Sequence, residues 1–156
     1  MNDYITDYNS PEERQKRMDQ EDPIVMYLVV HEIGMSAGKI GAQCGHAVGM
    51  LHIKHSELER DFWRQHEQDL VEPVQPPNLK IWDDWLHNSF RKVVLTANDK
   101  KWTKLKDKLK ELNMQHVLVV DSGLTEIPYG SETVIGLWPM YRSQSPQVIK
   151  KLQALK

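Results

Sequence analysis

Three groups of residues in this 156-residue chain have types and spacings that could do chemistry. The first runs from Gly34 to His46, where a glycine-containing loop leads from an apolar run into a helical pattern. A helix start offers unpaired N–H groups and the positive end of its dipole, which together favour an anion. Lys39 adds a full positive charge there. A P-loop needs four residues between its first glycine and Gly-Lys, then Ser or Thr. Here three residues separate Gly34 from Gly38, and Ile40 follows Lys39, which excludes nucleotide-triphosphate chemistry. At about 100° per residue, Lys39, Gln43 and His46 fall within roughly 60° of one another. That shared face is either the solvated side of an amphipathic helix or part of a site. Gly41, Gly45 and Gly49 form a second stripe, and because each costs helix stability they predict close approach of another backbone or of a substrate.

The second group is Asp121-Ser122-Gly123-Leu124-Thr125, directly after a strand pattern. Asp121 and Ser122 suit a simple turn. They also suit a ligand crevice at the carboxyl ends of strands, which the Gly34 loop would share if the two strands are parallel neighbours. The third is the run Lys100, Lys101, Lys104, Lys106, Lys108 and Lys110, interleaved with Asp107 and Glu111. It reads as a solvated helix face or as a contact for phosphates. No metal set emerges. Cys44 and His46 lie about 200° apart on a helix, and His52 with His55 supplies only two ligands. Cys44 is read as a small core residue.

Composition bounds the alternatives. One domain is expected at this length. Charge is nearly balanced, with 20 Lys and Arg against 22 Asp and Glu, so the whole chain gives no electrostatic hint of a polyanionic partner. The balance is uneven, however: residues 1–22 carry seven acids against three bases. This polar stretch is expected to form a flexible acidic tail ahead of a single domain at 23–156. A lone cysteine, no apolar run long enough to span a membrane and no signal-peptide pattern predict a soluble, cytoplasmic protein.

The elements that must position these groups follow from periodicity. Ile24 to Val30 is continuously apolar and β-branched, as in a strand buried on both faces. A helix follows with Ile40, Cys44, Ala47, Val48 and Leu51 inward, then a separate charged helix at 57–69. Val71 to Pro77 is extended because of its prolines, and Ile81 to Phe90 is a short helix. Arg91 to Thr96 is the second strand, after which Asn98 caps a helix with Trp102, Leu105, Leu109 and Leu112 inward. His116 to Val120 and Thr133 to Trp138 are two more strands. Ser145-Pro146 opens a final helix with Val148, Ile149, Leu152 and Leu155 inward. The expected fold is α/β, a three-layer α/β/α arrangement with a four-stranded mixed sheet and helices on both faces.

At the first two groups the chain resembles the peptidyl-tRNA hydrolases of the archaeal and eukaryotic type. The family pattern Gly-Lys-Gly-Lys-Ile/Leu-Ala-x-Gln-x-x-His-Ala is similar to Ala37-Gly38-Lys39-Ile40-Gly41-Ala42-Gln43-Cys44-Gly45-His46-Ala47, with Ala37 where relatives often carry the first lysine. A second pattern, Asp-Ala-Gly-x-Thr-x-Ile/Val-x-x-Gly-Ser/Thr-x-Thr, is met from Asp121 to Thr133. The segment 56–89 is longer than the family leads one to expect. The resemblance implies hydrolysis of the ester joining a peptide to tRNA, with no metal and no cofactor. It implies Lys39, Asp121, Thr125 and Thr133 as the functional core, with Gln43 and His46 nearby; on chemical grounds His46 is the rival general base to Asp121. Gln43, Gly38, Ser122, Lys104 and Lys108 are expected to meet the substrate. A non-catalytic tRNA- or protein-binding module on the same fold is the alternative, and homodimerisation is left open.

Overall fold

The computed structural model describes Glu12, residues 22–124 and residues 126–156. The expected acidic tail therefore lies, apart from Glu12 and Asp22, outside the described residues, and so does Thr125.

Strand β1 (Ile24–His31) is the centre of the sheet. Its alternate residues enter two different cores, which is why its sequence is apolar without alternation. Ile24, Met26, Leu28 and Val30 face one core with Ala47, Leu51, Trp82 and Trp85. Val25, Tyr27 and Val29 face the other with Trp102, Leu105, Leu109 and Ile149. On one side β1 pairs in parallel with β2 (Arg91–Ala97), in the register Val25 to Arg91 through His31 to Ala97. On the other it pairs antiparallel with β4 (Glu132–Leu137), which in turn pairs antiparallel with β3 (His116–Val120). β1 and β3 thus run in the same direction but are not neighbours, because β4 lies between them. The loops that follow them open on the same edge, one strand further apart than a parallel-neighbour arrangement would put them.

The sheet has six strands, not four. The four expected strands are present, and β5 (Met140–Tyr141) and β6 (Gln153–Ala154) extend it against the start of β1 and the outer edge of β2. Two-residue strands are too short to leave a period-two pattern in sequence. β6 also replaces the end of the expected last helix: α4 is only Gln147–Lys150, with Pro146 rather than Ser145 at its N-cap. Pairing with the otherwise open edge of β2 overrides helical periodicity here. Leu155 donates its N–H to Val94 and is half-exposed, whereas Leu152 remains buried.

The helices differ from expectation at their ends. α1 (Ala37–Gln65) is one helix of 29 residues rather than two. α2 (Pro77–Asp84) begins at a proline in the first turn and continues into a π turn at Trp85–Ser89, which ends at Phe90 with φ 54°. α3 (Asp99–Glu111) is capped as expected, the Asn98 side chain accepting the Lys101 N–H at 3.0 Å. Leu112 sits past its end and is half-exposed. Among the described residues no helix is long and apolar enough to cross a membrane.

α1 approaches β4 closely at Gly136, where a Cβ would lie 3.0 Å from Leu51 Cδ1 and 3.2 Å from both Ala47 Cβ and Val117 Cγ2. That contact holds the helix bearing Lys39 against the strand bearing Thr133. Gly136→Val is therefore expected to lose about 1–3 kcal/mol by overpacking, measured by urea unfolding. Wild-type stability in that variant would show that α1 does not depend on this contact.

Candidate active site

Ser36 ends the loop after β1 in extended conformation (φ −64°, ψ 161°) and caps α1, its Oγ accepting the Lys39 N–H at 3.3 Å. The cap turns Lys39 back over the sheet edge. Its Nζ donates to Asp121 Oδ1 at 2.6 Å, and the two side chains are only 10% and 5% exposed. Asp121 is the first residue past β3. Its N–H donates to Ser131 O at 2.9 Å and its carbonyl accepts from Gly130 at 3.0 Å, which pinches the 121–131 loop at its base. Gly123, at φ 71°, closes the turn, because a Cβ there would collide with the backbone of Tyr129. The Gly123 N–H also donates to Asp121 Oδ2 at 2.8 Å.

From this pair a polar chain runs inward. Gln43, one turn after Lys39, donates Nε2 to Asp121 Oδ1 at 3.2 Å. Its Oε1 accepts from Thr133 Oγ1 at 2.6 Å, and that hydroxyl also lies 3.2 Å from Val119 O. Gln43, Asp121 and Thr133 are all buried. The Lys39 ammonium beside Asp121 holds its carboxyl below the usual carboxylate range. Burial pulls the other way, while the Gly123 N–H and the Gln43 amide reinforce the lowering. The result is an ionised carboxylate whose two oxygens hold three donors, and a lysine fixed at the start of a helix.

The other selected residues are placed differently. Gly38 is exposed in the first turn of α1, and Ser122 is exposed on the loop. His46 is exposed, and among the described residues no hydrogen bond or ion pair joins it to the Lys39–Asp121–Gln43–Thr133 chain. The expected common face therefore divides: Lys39 and Gln43 meet the loop and β4, while His46 meets solvent. Lys104 and Lys108 lie on α3 and line a separate groove of about 530 Å³ with Lys100, Lys101 and Lys151. Lys108 is paired with Glu111 at 3.0 Å. The glycine stripe is also corrected. A Cβ at Gly41, Gly45 or Gly49 would meet nothing within 4 Å, so no backbone among the described residues approaches it. Cys44 is only partly buried, packed against the α1 core, where burial raises its thiol pKa. Among the described residues no group of three His, Cys, Asp or Glu could hold a metal ion.

A family model described as peptidyl-tRNA hydrolase PTH2 matches residues 24–155, a span that includes every residue of this polar chain. The chain belongs to the peptidyl-tRNA hydrolase PTH2 family. A relative from Dictyostelium discoideum, named probable peptidyl-tRNA hydrolase 2, is 32% identical over 123 residues, covering 78% of this chain and 50% of that protein. A Pyrobaculum aerophilum peptidyl-tRNA hydrolase is 31% identical over 109 residues, 69% of this chain and 77% of that one. A Bos taurus protein named peptidyl-tRNA hydrolase 2, mitochondrial, is 29% identical over 116 residues, 73% and 54% respectively. The chain spans about half the length of the Dictyostelium and bovine relatives it matches.

Neither Ser36 nor Glu126 is among the residues that the sequence reading selects, although both border the pair. A serine just before a helical pattern is a recognisable cap signal, whereas the reach of Glu126 across 90 positions to Ser36 leaves no local trace.

The dependence of Asp121 on Lys39 is open to direct titration. Carboxyl NMR should find the Asp121 midpoint below its ordinary value of about 3.9. In Lys39→Met the midpoint should rise, since burial remains and the main opposing contact is gone. A depressed folded-state pKa stabilises the fold above the unfolded value of about 3.9, and that contribution is lost as pH falls through the folded value. The acid limb of stability should therefore flatten in Lys39→Met. An unchanged Asp121 midpoint would contradict the pairing.

Proposed function

We propose that this chain hydrolyses the ester bond joining the peptide to the tRNA of peptidyl-tRNA, on an α/β/α layering that the two core clusters support. The observation that carries the reading is the buried Lys39–Asp121 pair at the start of α1. Ester hydrolysis passes through a tetrahedral oxyanion, which needs positive charge and N–H donors fixed in advance. Lys39 supplies the charge. Ser36 takes the N–H groups of Lys39 and Ile40, through Oγ and the carbonyl respectively. Ala37 and Gly38 open the helix, where N–H groups have no intrahelical partner, and Gly38 adds no side chain there.

Asp121 is a poor proton acceptor because its pKa is depressed. Its role here is to hold the Lys39 ammonium in place and to orient the attacking water or the Thr125 hydroxyl, with water as the eventual acyl acceptor. Gln43 and Thr133 keep the carboxylate in one rotamer. Ser122, exposed beside Asp121, contacts the substrate, and Lys104 and Lys108 contact tRNA phosphates from the α3 groove. The reaction in this reading uses no metal or cofactor. The cytoplasm is proposed as its compartment on the single cysteine.

Release of peptide from purified peptidyl-tRNA tests the reading. Lys39→Ala should lower turnover about a hundredfold, and Asp121→Asn should lower it at every pH. His46→Ala should retain a measurable rate, because His46 stands outside the polar chain. A wild-type chain that releases no peptide would reject the function. If His46→Ala abolishes turnover and erases a rise of rate with pH, the base moves to His46.

A further inference from the structure

Helix N-termini are commonly closed by a capping box. The N-cap Ser side chain accepts the N–H three residues on, and a Glu or Gln at that third position takes the N-cap N–H in return. α1 has the first half, Ser36 Oγ accepting from Lys39 at 3.3 Å. It cannot have the second, because the third position is Lys39, whose side chain is held by Asp121. The missing carboxylate comes instead from the 121–131 loop. Glu126 Oε2 accepts the Ser36 N–H at 2.8 Å and Oε1 accepts the Ser36 hydroxyl at 2.5 Å. These contacts hold the Glu126 carboxyl below its usual range, the Ser36 hydroxyl first and the Ser36 N–H second.

We propose that Glu126 is a positioning residue for the reaction: it completes the cap of α1 from the opposite loop and so locks the Lys39-bearing helix start to the Asp121-bearing loop. This rests on the function proposed above. The loop is pinched at its base by the Asp121, Gly130 and Ser131 backbone bonds. Those bonds place Asp121 relative to β4 but do not bind the loop to α1. Lys39 and Gln43 tie α1 to the loop through the Asp121 carboxylate, and the Glu126–Ser36 clamp is a further tie that uses neither the Lys39 nor the Asp121 side chain. With the clamp open, the Lys39 and Gln43 bonds to the loop both converge on Asp121, and the Lys39 ammonium is held less firmly relative to that carboxylate. A misplacement of this kind falls on turnover rather than on substrate affinity.

Peptide release from peptidyl-tRNA is measured for the full chain and for Glu126→Ala, Ser36→Ala, their double variant and Glu126→Gln, with thermal unfolding in parallel. Each alanine variant should lose about tenfold in kcat with KM changed by less than about twofold. The double variant should lose less than the product of the two single losses, because Glu126→Ala removes both clamp bonds, one of which is the Ser36 hydroxyl bond that Ser36→Ala also removes. Glu126→Gln keeps an acceptor for the Ser36 N–H and should retain about half of wild-type kcat or more. The proposal is overturned if Glu126→Ala keeps wild-type kcat, if only KM changes, if the two losses multiply, or if Glu126→Gln is as slow as Glu126→Ala. Should Glu126→Ala fail to fold, Ser36→Ala alone decides on the same kcat and KM criteria. An inactive wild-type chain overturns the function itself, whereas an active chain with unaffected variants overturns only the clamp.

Discussion

The contact between the Lys39 ammonium and the Asp121 carboxylate joins the start of helix α1 to the loop that follows strand β3, and most of the local architecture supports it. Two charges almost withdrawn from water lose hydration that their mutual attraction must offset, which succeeds only with good geometry and further hydrogen bonds. Asp121 has both: Lys39 at 2.6 Å, Gln43 at 3.2 Å on the same oxygen, and the Gly123 N–H at 2.8 Å on the other. Thr133 orients the Gln43 amide so that its nitrogen, not its oxygen, faces the carboxylate. Every member of the chain thus has a polar partner, and no buried side-chain nitrogen or oxygen among the described residues lacks one.

The fold brings these residues together through the order of its strands. β4 lies between β1 and β3, so the loop that carries Asp121 must reach across one strand to meet the helix start that follows β1. Thr133, near the beginning of β4, fills the space under that bridge and is completely buried. Gly136, three residues on, lets α1 lie close enough to β4 for Gln43 to reach Thr133. The site is therefore built by one helix, one intervening strand and one folded-back loop, which are far apart in sequence and rigidly packed in space.

Much of this was legible in sequence. The unbroken apolar run Ile24 to Val30 identified the central strand, Asn98 identified a helix start, and the two motif segments contained every member of the polar chain. What was not legible depends on tertiary pairing. β5 and β6 form only because open strand edges lie beside them, so two residues apiece carry no periodic signal. The 29-residue length of α1 was hidden by its charged second half, which reads as a separate segment. Helical angle alone placed His46 with Lys39 and Gln43, because a helical wheel shows direction but not which turns a neighbouring loop covers. The Glu126 carboxylate was invisible for the same reason.

The central claim is that Lys39 and Asp121 act as one unit in peptide release. A double-mutant cycle on single-turnover hydrolysis of peptidyl-tRNA tests it most directly, with Lys39→Met, Asp121→Asn and the combined variant. If the two side chains form one preorganised group, removing either dismantles it, and the combined variant should be no slower than the slower single variant. Losses that multiply in the combined variant would mean that the two residues contribute independently, and would contradict the account.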